Sequence, residues 1–306
     1  MRILVMGAGA IGAYYGAKLK RAGEDVYLCA RGEHLRALRA NGLVMKSGGQ
    51  ETVLKIPATD NPSEFAPYDL ALLCVKSYDT ISAAEQLKGC LAPDGMIMTL
   101  QNGVENEAAL CTVFPRESVI GGNARVSAEI IAPGTLMHSG NGYIEFGELD
   151  GIETPRAIRL AETFRRAEIF GELTGDLKTT RWIKLMGNNG TNCVCALGRC
   201  SLGQALSDPD AYRMMRELML ETISVGQAEG ARLTSEMADN ALRRLRRLAN
   251  TNQIRPSTLQ DAERGKPLEY DAITGAVIRA AERHGIEVPA TRHAHALLKL
   301  LDRAHS

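Results

Sequence analysis

The 306-residue sequence carries no net charge, since 36 lysines and arginines balance 36 aspartates and glutamates. Without a global field it has no general attraction for nucleic acid or an anionic membrane surface, so any anion must be caught by a local site. Long apolar runs are also missing. The N-terminal Met1-Arg2-Ile3-Leu4-Val5 runs straight into glycines, and neither it nor any later stretch matches a spanning helix or the apolar core of a secretion signal. A cytoplasmic protein with no membrane partner is expected. The seven cysteines, Cys29, Cys74, Cys90, Cys111, Cys193, Cys195 and Cys200, form no Cys-x-x-Cys pair and include an odd one. That argues against a disulfide framework or zinc ribbon and for reduced thiols. His34, His138, His284, His293, His295 and His305 have no acid or cysteine partners at metal-ligand spacing, so no metal is expected. Internal repeats, low-complexity tracts and long linkers are absent too.

What is present divides the chain in two. Single cores rarely grow past roughly 250 to 300 residues, so a chain of this length is expected to hold two domains. In the first half, apolar runs at 2–6, 25–30 and 70–75 read as strands, and 11–22, 33–40 and 78–88 read as helices. That alternation is the rhythm of βαβ units around a parallel sheet with helices on both faces. Further strands, some antiparallel, are expected at 95–100, 118–121, 124–131, 135–138 and 143–147, with turns at Pro133-Gly134 and Asn141-Gly142. From Gly175 the pattern becomes helical: 177–197, 208–230, 234–250, 257–264, 268–284 and 289–303. The expected class is α/β, a doubly wound sheet domain at 1–175 followed by an all-helical domain at 176–306, packed with a cleft between them.

Gly7-Ala8-Gly9-Ala10-Ile11-Gly12 fits Gly-x-Gly-x-x-Gly directly after a strand and before a helix. Glycines there let the backbone turn tightly and approach a pyrophosphate, whose charge meets free N–H groups at the helix N-terminus. The pattern serves FAD and NAD(P) alike, so the end of the second strand decides. It ends in Arg31, where an NAD-specific protein would usually offer an acid; guanidinium instead suits the 2′-phosphate of NADP(H). A solvated loop arginine is the alternative reading. Lys76 and Asn102 follow later strands, at the carboxyl ends where ligands bind in open sheets, although each residue type is also common in ordinary turns and surfaces.

The segment 181–192, Arg-Trp-Ile-Lys-Leu-Met-Gly-Asn-Asn-Gly-Thr-Asn, reads as helix despite two glycines and three asparagines, all poor helix formers. Lys184, Asn188 and Asn192 recur at i, i+4 and i+8 and form one stripe. An ammonium that can protonate a carbonyl oxygen, with amides to hold carboxylate or hydroxyl groups, suits a small 2-keto acid; the alternative is a polar face turned to solvent. Ser257 and Gln260 have the spacing of a capping box, and Glu269 stands where a first-turn acid favours a helix dipole, so spacing alone makes neither catalytic.

Taken together, GAGAIG, the arginine after the second strand, VKS, QNGVEN, WIKLMGNNGTN, PSTLQD and LEYDAITG stand in an order and spacing that resembles the ketopantoate reductase (2-dehydropantoate 2-reductase) family over nearly the whole chain. The resemblance implies a Rossmann-type domain plus a helical domain, often dimeric, reducing ketopantoate to pantoate with NADPH in pantothenate biosynthesis. It implies Lys184 as proton donor, Glu269 as its helper at the reacting hydroxyl, and Asn102 near nicotinamide and substrate. Lys76 would line the cofactor cleft, and Ser257, Asn188 and Asn192 would grip substrate. The chain departs from the family pattern at Cys193-Val194-Cys195, at Leu202-Gly203 and at Ile254, where a proline and two pocket asparagines are usual. Those changes leave open a paralogue acting on a less polar 2-keto acid.

A regulator that binds NADPH without turnover is a further alternative, disfavoured because a sensor needs no proton donor and carboxylate together. An FAD enzyme is disfavoured by Arg31. The run Arg243-Arg244-Leu245-Arg246-Arg247 reads as the solvated basic face of an amphipathic helix rather than a nucleic-acid surface.

Overall fold

A computed structural model describes residues 1–140, 142–248 and 251–304. Asn141 of the expected second turn, the last two residues of the expected helix 234–250, and His305 lie outside the described residues. The chain resolves into a sheet unit, Met1–Gln101 with Asn106–Leu177, and a helical unit, Asn102–Glu105 with Lys178–Ser306.

The sheet unit opens with β1 (Arg2–Met6), α1 (Ala10–Arg21), β2 (Asp25–Cys29) and α2 (Gly32–Asn41), then β3 (Leu43–Ser47), β4 (Gln50–Leu54) and β5 (Ala58–Thr59). It continues through β6 (Tyr68–Leu73), α3 (Thr80–Gln86), β7 (Leu91–Thr99), α4 (Asn106–Leu110) and β8 (Val119–Arg125). The last elements are β9 (Ala128–Ala132), β10 (Thr135–His138), β11 (Tyr143–Glu148), α5 (Pro155–Arg166) and β12 (Phe170–Leu173). Eight strands form one sheet in the order β12-β11-β8-β7-β6-β1-β2-β5, parallel except where β11 meets β8.

The central strands show why this sheet must be covered on both sides. Along β1, Ile3 and Val5 enter one core with Tyr14, Tyr15 and Ala17 of α1 and Leu160 and Phe164 of α5, while Leu4 enters another with Ala83, Ala84 and Leu110 of α3 and α4. Period-two alternation of side chains makes an unbroken apolar run fill two cores at once.

A second, four-stranded sheet, β4-β3-β10-β9, corrects the sequence reading, which assigned nothing to residues 41–69. Every residue of β4 is exposed or half-exposed, so the strand carries little apolar signal. The expected strand at 124–131 is really two: β8 stays in the large sheet as far as Arg125, and β9 begins in the small one at Ala128. The Pro133-Gly134 turn joins β9 to β10 as expected. The reading also passed over α5, although Thr154 caps it through Ala157 N–H and Pro155 opens its first turn.

The described residues of the helical unit contain no strand. They comprise α6 (Leu177–Gly198), α7 (Leu202–Ser207), α8 (Pro209–Ala228), α9 (Glu236–Arg246) and α10 (Ser257–Glu263). A π-helical turn, Asp271–Gly275, runs into α11 (Ala276–His284), and α12 (Pro289–Arg303) closes the unit. Its core gathers Trp182, Leu185 and Met186 of α6 with Met215, Leu218 and Met219 of α8 and Val277 and Leu298 beyond.

The capping box expected at Ser257 and Gln260 does not form: Pro256 is extended at the cap position, so Ser257 is already inside the helix, and Gln260 Nε2 donates to the Arg255 carbonyl at 2.8 Å. A capping box stands instead at Ser201 and Gln204, opening α7. The basic run of α9 is not uniformly solvated either, because Arg246 donates to the Leu206 carbonyl at 2.8 Å and stacks over the Tyr212 ring at 3.9 Å. No described helix is long and apolar enough to cross a membrane.

Candidate active site

In the sheet unit, the turn from β1 to α1 is shaped by three glycines with three different needs. Gly7 has φ +101°, and a Cβ there would lie 2.7 Å from Val75 N. At Gly12 a Cβ would fall 2.2 Å from the Gly7 carbonyl oxygen, so only glycine lets the helix start this close to the strand. Gly9 is different, for a Cβ on it would meet nothing within 4 Å. The tight turn and close approach account for the first and third glycines, and the open space over the second leaves room for a pyrophosphate beside the backbone.

Gly9 occupies the N-cap of α1 with no side-chain cap, and the first-turn amides of a helix have no intrahelical acceptor. Gly7 and Ala8 spend their own N–H groups on the Cys29 carbonyl, at 3.2 and 2.9 Å. The N–H groups from Gly9 into α1 are therefore the ones offered to an anion, at the positive end of the helix dipole. These residues fit a dinucleotide.

His34, which sequence reasoning considered only as a metal ligand, braces this turn. Gly134 N–H donates to its Nδ1 at 3.1 Å, which leaves Nε2 as the ring N–H, given to the Ala8 carbonyl at 2.8 Å. No spacing rule links residues 8, 34 and 134. Arg31 stands at the N-cap of α2 with its side chain 76% exposed and 3.2 Å from Asp79 Oδ2. Lys76 is half-buried at the end of β6, in the cap position of the short 3-10 turn Ser77–Asp79. Cys74, beside the glycine turn, is a half-buried residue whose thiol is desolvated, which pushes its pKa well above the ordinary range and leaves it protonated.

In the helical unit, α6 places Lys184 and Asn188 half-buried and Asn192 buried along one side. The two glycines of this helix have separate explanations. A Cβ at Gly190 would sit 2.7 Å from Met219, so that glycine lets α6 approach α8; a Cβ at Gly187, between Lys184 and Asn188, would meet nothing. The third asparagine is structural. Fully buried Asn189 donates Nδ2 to Thr222 Oγ1 at 2.9 Å and Thr291 Oγ1 at 3.2 Å, and its Oδ1 accepts from Cys193 Sγ at 3.5 Å. The three departures from the family pattern are packing positions: Cys193 and Leu202 are core residues, and partly buried Ile254 packs on that core while accepting Leu202 N–H at 2.9 Å.

The short segment Asn102–Glu105 belongs to the helical unit and is held by it at three points. Asn102 Nδ2 donates to Glu269 Oε2 at 3.5 Å, Arg181 Nη2 donates to the Gly103 carbonyl at 3.3 Å, and Arg279 grips the Glu105 carboxylate with both Nε and Nη2. Gly103 makes the turn with φ +101°. Glu269 is buried immediately before the helical run that begins at Tyr270. Thus Asn102 and Glu269, separated by 167 positions, are brought together, while Ser257 is exposed at the start of α10. Nothing in the sequence marked Arg181, Glu105 or Arg279.

Fold and site define a nicotinamide-dinucleotide-dependent reductase with a doubly wound sheet unit and a helical unit. Residues 3–151 match the family described as Ketopantoate reductase PanE/ApbA, and residues 176–302 match Ketopantoate reductase PanE/ApbA C terminal. Among curated relatives, the 2-dehydropantoate 2-reductase of Archaeoglobus fulgidus is 34% identical over 292 residues, 95% of this chain and 94% of that one. That of Halobacterium salinarum is 31% identical over 305 residues, 99% of each chain. The crystal structure of a PanE/ApbA family ketopantoate reductase from Ralstonia eutropha JMP134 superposes with a TM-score of 0.90 at 35% identity, covering 100% of this chain and 99% of that one. The chain belongs to the ketopantoate reductase family.

Proposed function

We propose that the protein reduces 2-dehydropantoate to pantoate with NADPH, a step of pantothenate biosynthesis, as a cytoplasmic and homodimeric enzyme. The observation that carries the reading is the α6 face, where Lys184 and Asn188 flank the open space over Gly187 in a chain whose full-length relatives are named for this reaction. In this reading residues 1–175, apart from the Asn102–Glu105 segment held by the helical unit, form the cofactor domain, and 176–306 the substrate and catalytic domain.

A bound nicotinamide cofactor would supply the hydride for the C2 carbonyl carbon. Lys184 Nζ delivers the proton to the carbonyl oxygen as charge develops there, which is general acid catalysis. The buried carboxylate of Glu269 assists Lys184 at the reacting hydroxyl, and the Asn102 amide stands beside it, its Nδ2 3.5 Å from Oε2. Asn188, Asn192 and Ser257 hold the substrate's carboxylate and hydroxyl groups. On the sheet unit, Gly7 and Ala8 shape the turn, the backbone N–H groups of Gly9, Ala10, Ile11 and Gly12 receive the pyrophosphate, Arg31 takes the 2′-phosphate, and Lys76 lines the cofactor cleft.

Preference for NADPH rests on Arg31. Its guanidinium is exposed, with one Nη 3.2 Å from Asp79, so a 2′-phosphate can take it in a forked pair, whereas a free 2′-hydroxyl gains little from it. The test is the loss of nicotinamide absorbance with ketopantoate and a panel of other 2-keto acids, using NADPH and NADH in parallel. Turnover with ketopantoate and NADPH supports the reading. Turnover confined to another acid, or NADPH binding without turnover, overturns it.

A further inference from the structure

Arg279 of the helical unit is held between two carboxylates. Its Nε and Nη2 hold Glu105 at 3.2 and 2.6 Å, Nη1 holds Asp271 Oδ1 at 2.8 Å, and Nη2 also donates to the Asp271 carbonyl at 3.0 Å. Two features look built for this arrangement. Asp271 opens the π-helical turn, a backbone form that is rare and concentrated at functional sites. Gly275 closes that turn, and a Cβ there would stand 2.5 Å from Asp271 Oδ1 and 3.0 Å from Arg279 Nη1, so the glycine leaves the room in which the two side chains meet.

The carboxylate held at the far side, Glu105, ends the four-residue segment that begins with Asn102. At 3.5 Å the Asn102–Glu269 bond is long, and a bond of that length does not by itself fix a side chain. The bidentate Arg279–Glu105 pair is short and directional. It fixes one end of the segment, and Arg181 fixes the middle.

We propose that Arg279 is a positioning residue for the reduction. By clamping Glu105 against Asp271 it holds the Asn102–Glu105 segment so that the Asn102 amide meets Glu269 at the reacting centre. It touches neither substrate nor cofactor, and the inference rests on the ketopantoate reading for its kinetic consequence.

The experiment compares Arg279→Gln, Glu105→Gln and the double variant. The expected result is a kcat lowered about 10-fold or more in each single variant, since small misplacements of reacting groups have effects of this order. NADPH affinity should stay within about twofold, and the double variant should be no worse than the poorer single one, because both remove the same contact. Folded variants with unchanged kcat, or strictly multiplicative effects, overturn the proposal. Should Arg279→Gln fail to fold, Glu105→Gln carries the test, for it leaves the Arg279–Asp271 pair in place. Amide hydrogen exchange across residues 100–106 provides a readout that needs no substrate. Faster exchange in either variant supports the clamp, unchanged exchange overturns it, and wild-type inactivity on ketopantoate would instead overturn the function proposed above.

Discussion

His34 donates Nε2–H to the Ala8 carbonyl at 2.8 Å. Because the C=O and N–H of a trans peptide point in opposite directions, fixing that carbonyl turns the Gly9 N–H away from His34, toward the open side of the turn. Replacing His34 with alanine frees the peptide to rotate. The loss of one hydrogen bond, about 1 kcal/mol, should raise the Kd for NADPH roughly fivefold, with kcat at saturating cofactor little changed. Fluorescence titration of NADPH measures this, and an unaltered Kd would reduce His34 to a tie between α2 and the β9–β10 turn.

Lys184→Ala should lower kcat by about 10²-fold or more while leaving NADPH affinity near wild type, the pattern expected when a positioned general acid is removed. Steady-state kinetics with a separate binding titration checks both halves. Equal activity in the variant would take Lys184 out of the mechanism.

Gly187→Ala separates stability from function. The new methyl meets nothing within 4 Å beyond the backbone of its own helix turn, and alanine favours a helix interior by up to about 1 kcal/mol over glycine, so thermal stability should hold or rise. If the space beside Lys184 receives substrate, KM for the keto acid should rise several-fold in the same variant. A more stable enzyme with wild-type KM would show that substrate does not lie there.

Glu148 links β11 to α5 through Arg156 and Thr154. Burial by itself would raise its pKa, but hydrogen bonds from Arg156 and Thr154 outweigh that and hold the carboxyl below the usual 4.5. A carboxylate with a lowered folded-state pKa contributes stability above its unfolded pKa and loses it as pH falls through the folded value. Arg156→Ala should therefore cost about 2 kcal/mol near pH 7, with the difference from wild type shrinking below about pH 4. Denaturant titrations at the two pH values test this; a difference that is constant with pH would mean the pair contributes through packing.

The legible parts of the fold were those with local signatures. An apolar run followed by Gly7-Ala8-Gly9-Ala10-Ile11-Gly12 announces β1, the turn and α1, because backbone approach and helix start depend on neighbours a few positions away. The Lys184–Asn188–Asn192 stripe was readable for the same reason, helical periodicity. Where the local signal was ambiguous, tertiary context chose. Ser-x-x-Gln occurs at both 201 and 257, but only the first forms a box, since Pro256 takes the cap position at the second. Asn188 and Asn189 are adjacent and chemically identical, yet one stays half-exposed beside Lys184 and the other is locked among Thr222, Thr291 and Cys193.

By itself, then, the sequence determined the doubly wound class, the dinucleotide turn, the helical second half and the lysine-bearing helix face, all properties of short-range spacing. Only the tertiary structure decided the second sheet, the bracing of Ala8 by His34, and the capture of Asn102–Glu105 by Glu269, Arg181 and Arg279. Those contacts join residues up to 174 positions apart, and no periodicity along a chain encodes which distant donor will reach a given acceptor once the cores have formed.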